Sequence, residues 1–178
     1  MIRLLAISGS LRAVSTNTAL LRAAMLLAPP GMTIELFDGL AGLPHFNPDL
    51  DIEPLPPPVA AWRRRIAEAD GLLISSPEYA RGVPGSLKNA LDWLVSGPEH
   101  PGKLVAFLHA SERGVAGQAA LRVTLETMGT RIIEEASLTI PLLGRQTDEG
   151  EIASDPVVAA RIRAALDAYA KALASIAT

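Results

Sequence analysis

The chain of 178 residues contains no cysteine. That absence removes disulfides, thiolate zinc sites, iron–sulfur clusters and a cysteine nucleophile together, and it is compatible with a cytoplasmic setting. No run of Lys and Arg builds a one-sided field: the formal net charge is −3 and the pI is near 5.6. The phosphate backbone of a nucleic acid therefore has little to grip, and no nucleic-acid partner is expected. The apolar stretch Leu4 to Ile7 is too short to span a bilayer, and Gly9 follows almost at once. It reads as a buried strand, and no membrane is expected. Repeats, low-complexity tracts and linkers are also missing. With 49% apolar and 20% charged residues the composition is ordinary globular usage. One domain over residues 1–178 is the expectation, long enough to bury roughly two thirds of its unfolded surface.

What is present is an alternation of short apolar runs with segments of helical period. Arg3 to Ser8 reads as a first strand, followed by a helix capped at Thr16 or Asn17 with Leu20, Ala23, Ala24 and Leu27 on one face. Met32 to Phe37 is the second strand. A long Pro-rich connection, Asp38 to Pro58, leads to a helix carrying Val59, Trp62, Ile66 and Ala69, and a loop of that length has a function or meets a partner. Gly71 to Ser75 is a third strand, and Pro84 opens the helix of Leu87, Ala90, Leu91 and Leu94. Lys103 to His109 is a fourth strand, with a helix through Leu121, Thr124, Leu125 and Met128 behind it. A fifth strand falls within residues 131 to 140, its start blurred by Glu134 and Glu135. Asp155 and Pro156 cap a last helix with Val158, Ile162, Ala165, Leu166, Tyr169 and Leu173 on its stripe. The pattern predicts an α/β fold, a doubly wound five-stranded parallel sheet with helices on both faces, in flavodoxin-like or Rossmann order. Ligands then sit at the carboxyl ends of the strands.

The segment Ser8 to Thr18 joins the first strand to the first helix, where backbone N–H groups and the positive helix end converge on an anion site. Ser10, Ser15 and Thr18 offer hydroxyls, Asn17 an amide and Arg12 a guanidinium. The same residue types also serve plain turns and caps, so this loop has a second, local reading. A dinucleotide fingerprint needs G-x-G-x-x-G and a P-loop ends in Gly-Lys-Ser or Gly-Lys-Thr; this loop has Gly9 alone. The loop Ser76 to Gly85, after the third strand, carries Pro77, Gly82, Pro84 and Gly85 and borders the same crevice. His45, His100 and His109 lack ligand spacing, so no metal is expected. Lys88 and Asp92 form an i,i+4 surface pair. Glu78 beside Tyr79 has the chemistry of a general base.

Three stretches carry a family likeness: Gly9-Ser-Leu-Arg-x-x-Ser-x-Asn17, Leu43-Pro-His-Phe-Asn-Pro-Asp49 and Pro77-Glu-Tyr-x-x-Gly-Val-Pro-Gly-x-Leu-Lys-Asn-Ala-Leu-Asp-Trp93. Weaker matches are Gly117-Gln-x-x-Leu-Arg122 and Asp148-Glu-Gly150. The chain resembles the NAD(P)H-dependent FMN reductases, which include quinone, chromate and azo-dye reductases on a flavodoxin-like fold. The resemblance implies bound FMN, NADPH or NADH as co-substrate, a small-molecule electron acceptor such as free flavin or a quinone, and a homodimer or dimer of dimers. It implies that Ser10, Arg12, Ser15, Asn17 and Thr18 hold the FMN phosphate. Pro77, Glu78, Tyr79, Ala80, Arg81 and Gly82 would border the isoalloxazine ring, and Ser111 would close a third side. No catalytic side chain is implied. Two departures bear on the ring contacts and the substrate preference. Ala80 stands where the family usually has a polar residue, often Asn, and Ser111-Glu-Arg-Gly114 stands where paired glycines are usual. A flavodoxin-like electron carrier and a non-catalytic FMN-binding module are the alternatives.

Overall fold

A computed structural model describes residues 1–142 and 148–176; the expected domain boundaries also take in 143–147 and 177–178, which lie outside the described residues. The strands are β1 (Ile2–Ser8), β2 (Met32–Phe37), β3 (Gly71–Ser75), β4 (Leu104–His109), β5 (Arg131–Ile132) and β6 (Leu138–Thr139). The helices are α1 (Thr16–Leu26), α2 (Pro57–Glu68), α3 (Gly85–Asp92), α4 (Val115–Thr127), α5 (Glu149–Ser154) and α6 (Pro156–Ile176). Among the described residues no helix is long and apolar enough to cross a membrane.

Every strand pairs parallel, in the order β2-β1-β3-β4-β5, with β6 also on β4. This is the flavodoxin-like order, and it settles the choice left by the alternation pattern. The chain runs outward from β1 to β2, then returns to build β3 on the other side of β1, so the switch point lies at the carboxyl ends of β1 and β3. Successive strand residues feed opposite layers. Leu4, Ala6, Leu73, Ala106 and Leu108 pack with Leu20, Ala24, Ile152, Ile162 and Tyr169 of α1, α5 and α6. Leu5, Ile7, Leu72, Ile74, Val105 and Phe107 pack with Trp62, Ile66, Leu87, Leu91, Leu121 and Leu125 of α2, α3 and α4. The Tyr169 hydroxyl lies 2.7 Å from the Leu104 carbonyl and 3.1 Å from that of Leu72. It fills space that a side chain at Gly71 would occupy, since a Cβ there would stand 2.2 Å from the Tyr169 oxygen.

The fifth strand is present but interrupted. Glu134–Ala136 leaves the ladder as a 3-10 turn between β5 and β6. There the Ser137 hydroxyl takes the place of a strand carbonyl, accepting from Phe107 N at 3.0 Å and donating to Ile133 O at 2.8 Å. Glu134, at the start of that turn, is exposed and makes a bidentate pair with Arg122.

The Pro-rich connection 38–58 holds two 3-10 turns, Leu40–Gly42 and Pro48–Leu50, and α3 fastens it to the body. Asn89 accepts from Phe46 N at 2.7 Å and donates to Pro44 O at 2.9 Å, while Trp93 Nε1 donates to the same carbonyl at 2.8 Å. Phe46 meets Trp93 edge-on at 5.1 Å. Two of the stretches that carry the family likeness are thus one structural unit. Lys88 and Asp92 pair on the surface as expected.

Candidate functional site

At the carboxyl ends of β1, β3 and β4 an open cleft of about 250 Å³ is lined by Thr16, Asn17, Ser76, Pro77, Glu78, Ala110, Ser111, Arg113, Gly114 and Gln118. Gly9 lets the first two loops meet. A Cβ there would stand 2.4 Å from Ser76 Oγ and 3.2 Å from Leu87 Cδ2, and Gly9 N donates to Ser75 O at 2.8 Å. The single glycine of the first loop therefore serves close approach between loops.

Helix α1 is capped by Ser15, one residue before the expected position: its Oγ accepts from Thr18 N at 3.4 Å. The N–H groups of Thr16 and Asn17, in the first turn, have no intrahelical acceptor. Asn17 Oδ1 accepts from Ser75 Oγ at 3.0 Å, and its amide nitrogen has no partner among the described residues. Ser10 is buried; its Oγ accepts from Arg12 N at 3.4 Å and its N–H donates to Ser8 Oγ at 3.3 Å. Ser8 and Thr18 share a hydroxyl contact of 2.8 Å. Because Ser10 and Ser15 act here as acceptors, their hydroxyl protons stay free for an anion. Arg12 is exposed, does not line the cleft, and has no ion pair among the described residues.

In the second loop Tyr79 and Gly82 exchange backbone bonds of 3.1 and 2.9 Å around Ala80 (φ 49°) and Arg81 (φ 61°). Both central residues at positive φ make this a type I′ reversal, whose usual occupants are Asn and Gly. That gives a physical reason for the polar residue usual after Glu-Tyr: Asn adopts this backbone region at lower cost than Ala. Ala80→Asn is expected to raise stability by about 0.5 to 1 kcal/mol, read as a higher urea midpoint with unchanged slope. An unchanged or lower midpoint would contradict the assigned strain.

Asn17, Pro77, Glu78 and Ser111 thus come together at the cleft. Ser10, Ser15 and Thr18 are bonded within the first loop and do not line the cleft; Arg12, Tyr79, Ala80 and Arg81 are exposed and are not among its lining residues either. Gly82 closes the reversal. Glu78 spends its carboxylate on Gly117 N, at 2.7 Å. Of the other lining residues, the sequence reading had Ser76 in the second loop, Arg113 and Gly114 in the Ser111-Glu-Arg-Gly114 departure and Gln118 in the Gly117-Gln match, without assigning them to the site, and it missed Ala110, whose only signal was position after a strand's carboxyl end. Ser111 Oγ accepts from Arg113 N at 3.0 Å and Ser111 O from Gln118 Nε2 at 3.4 Å, which folds the third loop tightly.

His109, at the end of β4, stacks on Phe107 at 5.3 Å, and Arg122 lies over the other ring of that pair. Burial first and the Arg122 charge second push it down from 6.5 to about 4, so it is neutral near pH 7. Among the described residues no group of His, Asp and Glu could hold a metal ion.

The chain matches the family profile described as NADPH-dependent FMN reductase over residues 2–142. It is 48% identical over 112 residues to an NAD(P)H-dependent FMN reductase of Pseudomonas aeruginosa, covering 62% of this chain and 60% of that protein. It is 50% identical over 97 residues to an NADPH:quinone oxidoreductase of Arabidopsis thaliana, covering 52% and 49%. The matched part thus spans between half and three fifths of those relatives' length. Among solved structures, a flavoenzyme NAD(P)H:(acceptor) oxidoreductase of Paracoccus denitrificans superposes with a TM-score of 0.76 at 26% identity, covering 96% of this chain and 98% of that one. With a flavodoxin-like strand order, a donor-rich first loop at its switch point and a profile match over residues 2–142, the chain belongs to the NADPH-dependent FMN reductase family.

Proposed function

We propose that the chain binds FMN in this cleft and passes hydride from NADPH or NADH, by way of FMN, to a second acceptor such as free flavin or a quinone. The observation that carries this reading is the first turn of α1. Free N–H groups at Thr16 and Asn17, and the free Asn17 amide, line the same cleft as the loops after β3 and β4. Ser10, Arg12, Ser15, Asn17 and Thr18 would hold the phosphate, and Pro77 to Gly82 with Ser111 would border the ring. FMN, when bound, supplies the hydride chemistry. The protein's part is to hold the phosphate, keep the bordering loops in place and leave one open side where nicotinamide and acceptor alternate. No side chain is assigned a proton, since Glu78 is already bonded to Gly117. The names borne by the matching relatives support the same reading.

The test is spectroscopic. Protein reconstituted with FMN should show a shifted flavin spectrum that bleaches when NADPH or NADH is added without oxygen. A spectrum identical to free FMN rejects the cofactor, and bound flavin that resists both nicotinamides leaves the electron carrier.

We also propose a homodimer. Leu50, Ile52 and Val95 are exposed on the 38–58 connection and just past α3, an apolar grouping that suits a second copy. Light scattering at micromolar concentration should report at least twice the chain mass; monomer alone contradicts it.

A further inference from the structure

We infer that Glu78 is a positioning residue, the cap of α4 supplied from the second loop, and that this bond makes the 77–82 loop and the loop after β4 a single rigid wall of the cleft. The inference rests on the FMN reading for its effect on flavin, but the bond itself lies within the protein.

Helix α4 starts after Gly114, which has φ 105° and no side chain to cap the first turn. Its first N–H groups have no intrahelical acceptors. Glu78, 39 residues away, provides one: its Oε2 accepts from Gly117 N at 2.7 Å. A carboxylate is the favoured partner there, because it meets both the free N–H and the positive end of the helix. The approach is close on several sides. A Cβ at Gly117 would stand 2.9 Å from Gly82 O and 3.1 Å from Glu78 Cβ and Cγ, and one at Gly114 would stand 3.2 Å from Glu78 Cβ. Both glycines are therefore space into which the second loop fits. The Tyr79–Gly82 reversal lies directly beyond Glu78, so a helix start that moves carries the reversal with it. This explains why Gly117 stands at the head of a stretch that carries the family likeness.

The experiment uses the whole chain with the variants Glu78→Ala, Glu78→Gln, Gly117→Ala and the Glu78→Ala/Gly117→Ala pair. Amide hydrogen exchange is followed at Gly117 in the flavin-free protein, and FMN and riboflavin are titrated separately. In the wild type, Gly117 should be protected well above its neighbours Val115 and Ala116. Glu78→Ala should speed exchange there about tenfold and weaken both flavins alike, also about tenfold. Glu78→Gln should stay within about twofold of wild type, because its amide oxygen accepts the same bond. Gly117→Ala should weaken both flavins, and the pair should lose less than the two single losses combined. Loss confined to FMN, Glu78→Gln as damaging as Glu78→Ala, or full additivity in the pair would overturn the proposal. If Glu78→Ala fails to fold, an unprotected Gly117 in the wild type overturns it. Wild-type protein that binds neither flavin overturns the FMN reading instead, and the exchange data still decide the cap.

Discussion

Arg12→Ala is expected to weaken FMN by roughly ten- to a hundredfold and to leave riboflavin nearly unchanged. The magnitude is that of one hydrogen bond to a charged group. Arg12 has no ion pair among the described residues and lies exposed in the loop that would hold the phosphate. Riboflavin shares the ring and ribityl chain but lacks the phosphate, so the ratio of the two affinities isolates this contact. The competing role is mechanical, since Arg12 N is tied to Ser10 Oγ at 3.4 Å. That bond is made by the backbone and survives the substitution. Calorimetric titration of both flavins against a mutant shown to be folded decides the matter; an equal loss for both ligands removes Arg12 from the phosphate site.

His109 should make the protein acid-sensitive. Its native value is pushed down to about 4 against 6.5 in the unfolded chain, so between these two the unfolded state binds a proton that the native state refuses. The sign follows from that difference. The contribution is complete above pH 6.5 and is lost as pH falls through about 4. Its size is about 3 kcal/mol. His100, whose value is also lowered by burial, acts in the same direction. Urea unfolding at pH 7 and pH 4.5 should show the loss in wild type and a markedly smaller one in His109→Gln. Equal losses in both proteins would place the acid sensitivity elsewhere.

The elements could be read from the sequence because each carries its own periodicity, and the donor-rich first loop because Ser, Thr, Asn and Arg cluster at one strand end. The periodicity alone left the strand order open, since flavodoxin-like and Rossmann sheets present the same alternation of runs and helices; the flavodoxin-like order was implied only by the family resemblance. Long-range bonds from side chains to backbone leave no local mark, so neither the tie of Asn89 and Trp93 to Pro44 nor the Glu78–Gly117 cap was visible. The positive φ at Ala80 and Arg81 was hidden for the opposite reason: these two residue types signal against it. Glu134 and Glu135 did mark trouble in the fifth strand, but the remedy, a serine hydroxyl standing in for a strand carbonyl, lies two residues further on.

That interruption also shapes how the molecule behaves in crowded solution. A sheet ending in a long straight strand offers a row of unpaired N–H and C=O groups on which another chain can template itself, the first step toward fibrillar aggregates. Here the outer margin beside β4 consists of two-residue strands separated by a turn, with the Glu134–Arg122 pair standing in front of them. An incoming strand finds no register longer than two residues before it meets charge and a change of direction. The opposite margin, β2, is six residues long but sets Thr33 and Glu35 outward among its buried neighbours, so there too the exposed row carries polar groups that an apolar intruder would have to desolvate.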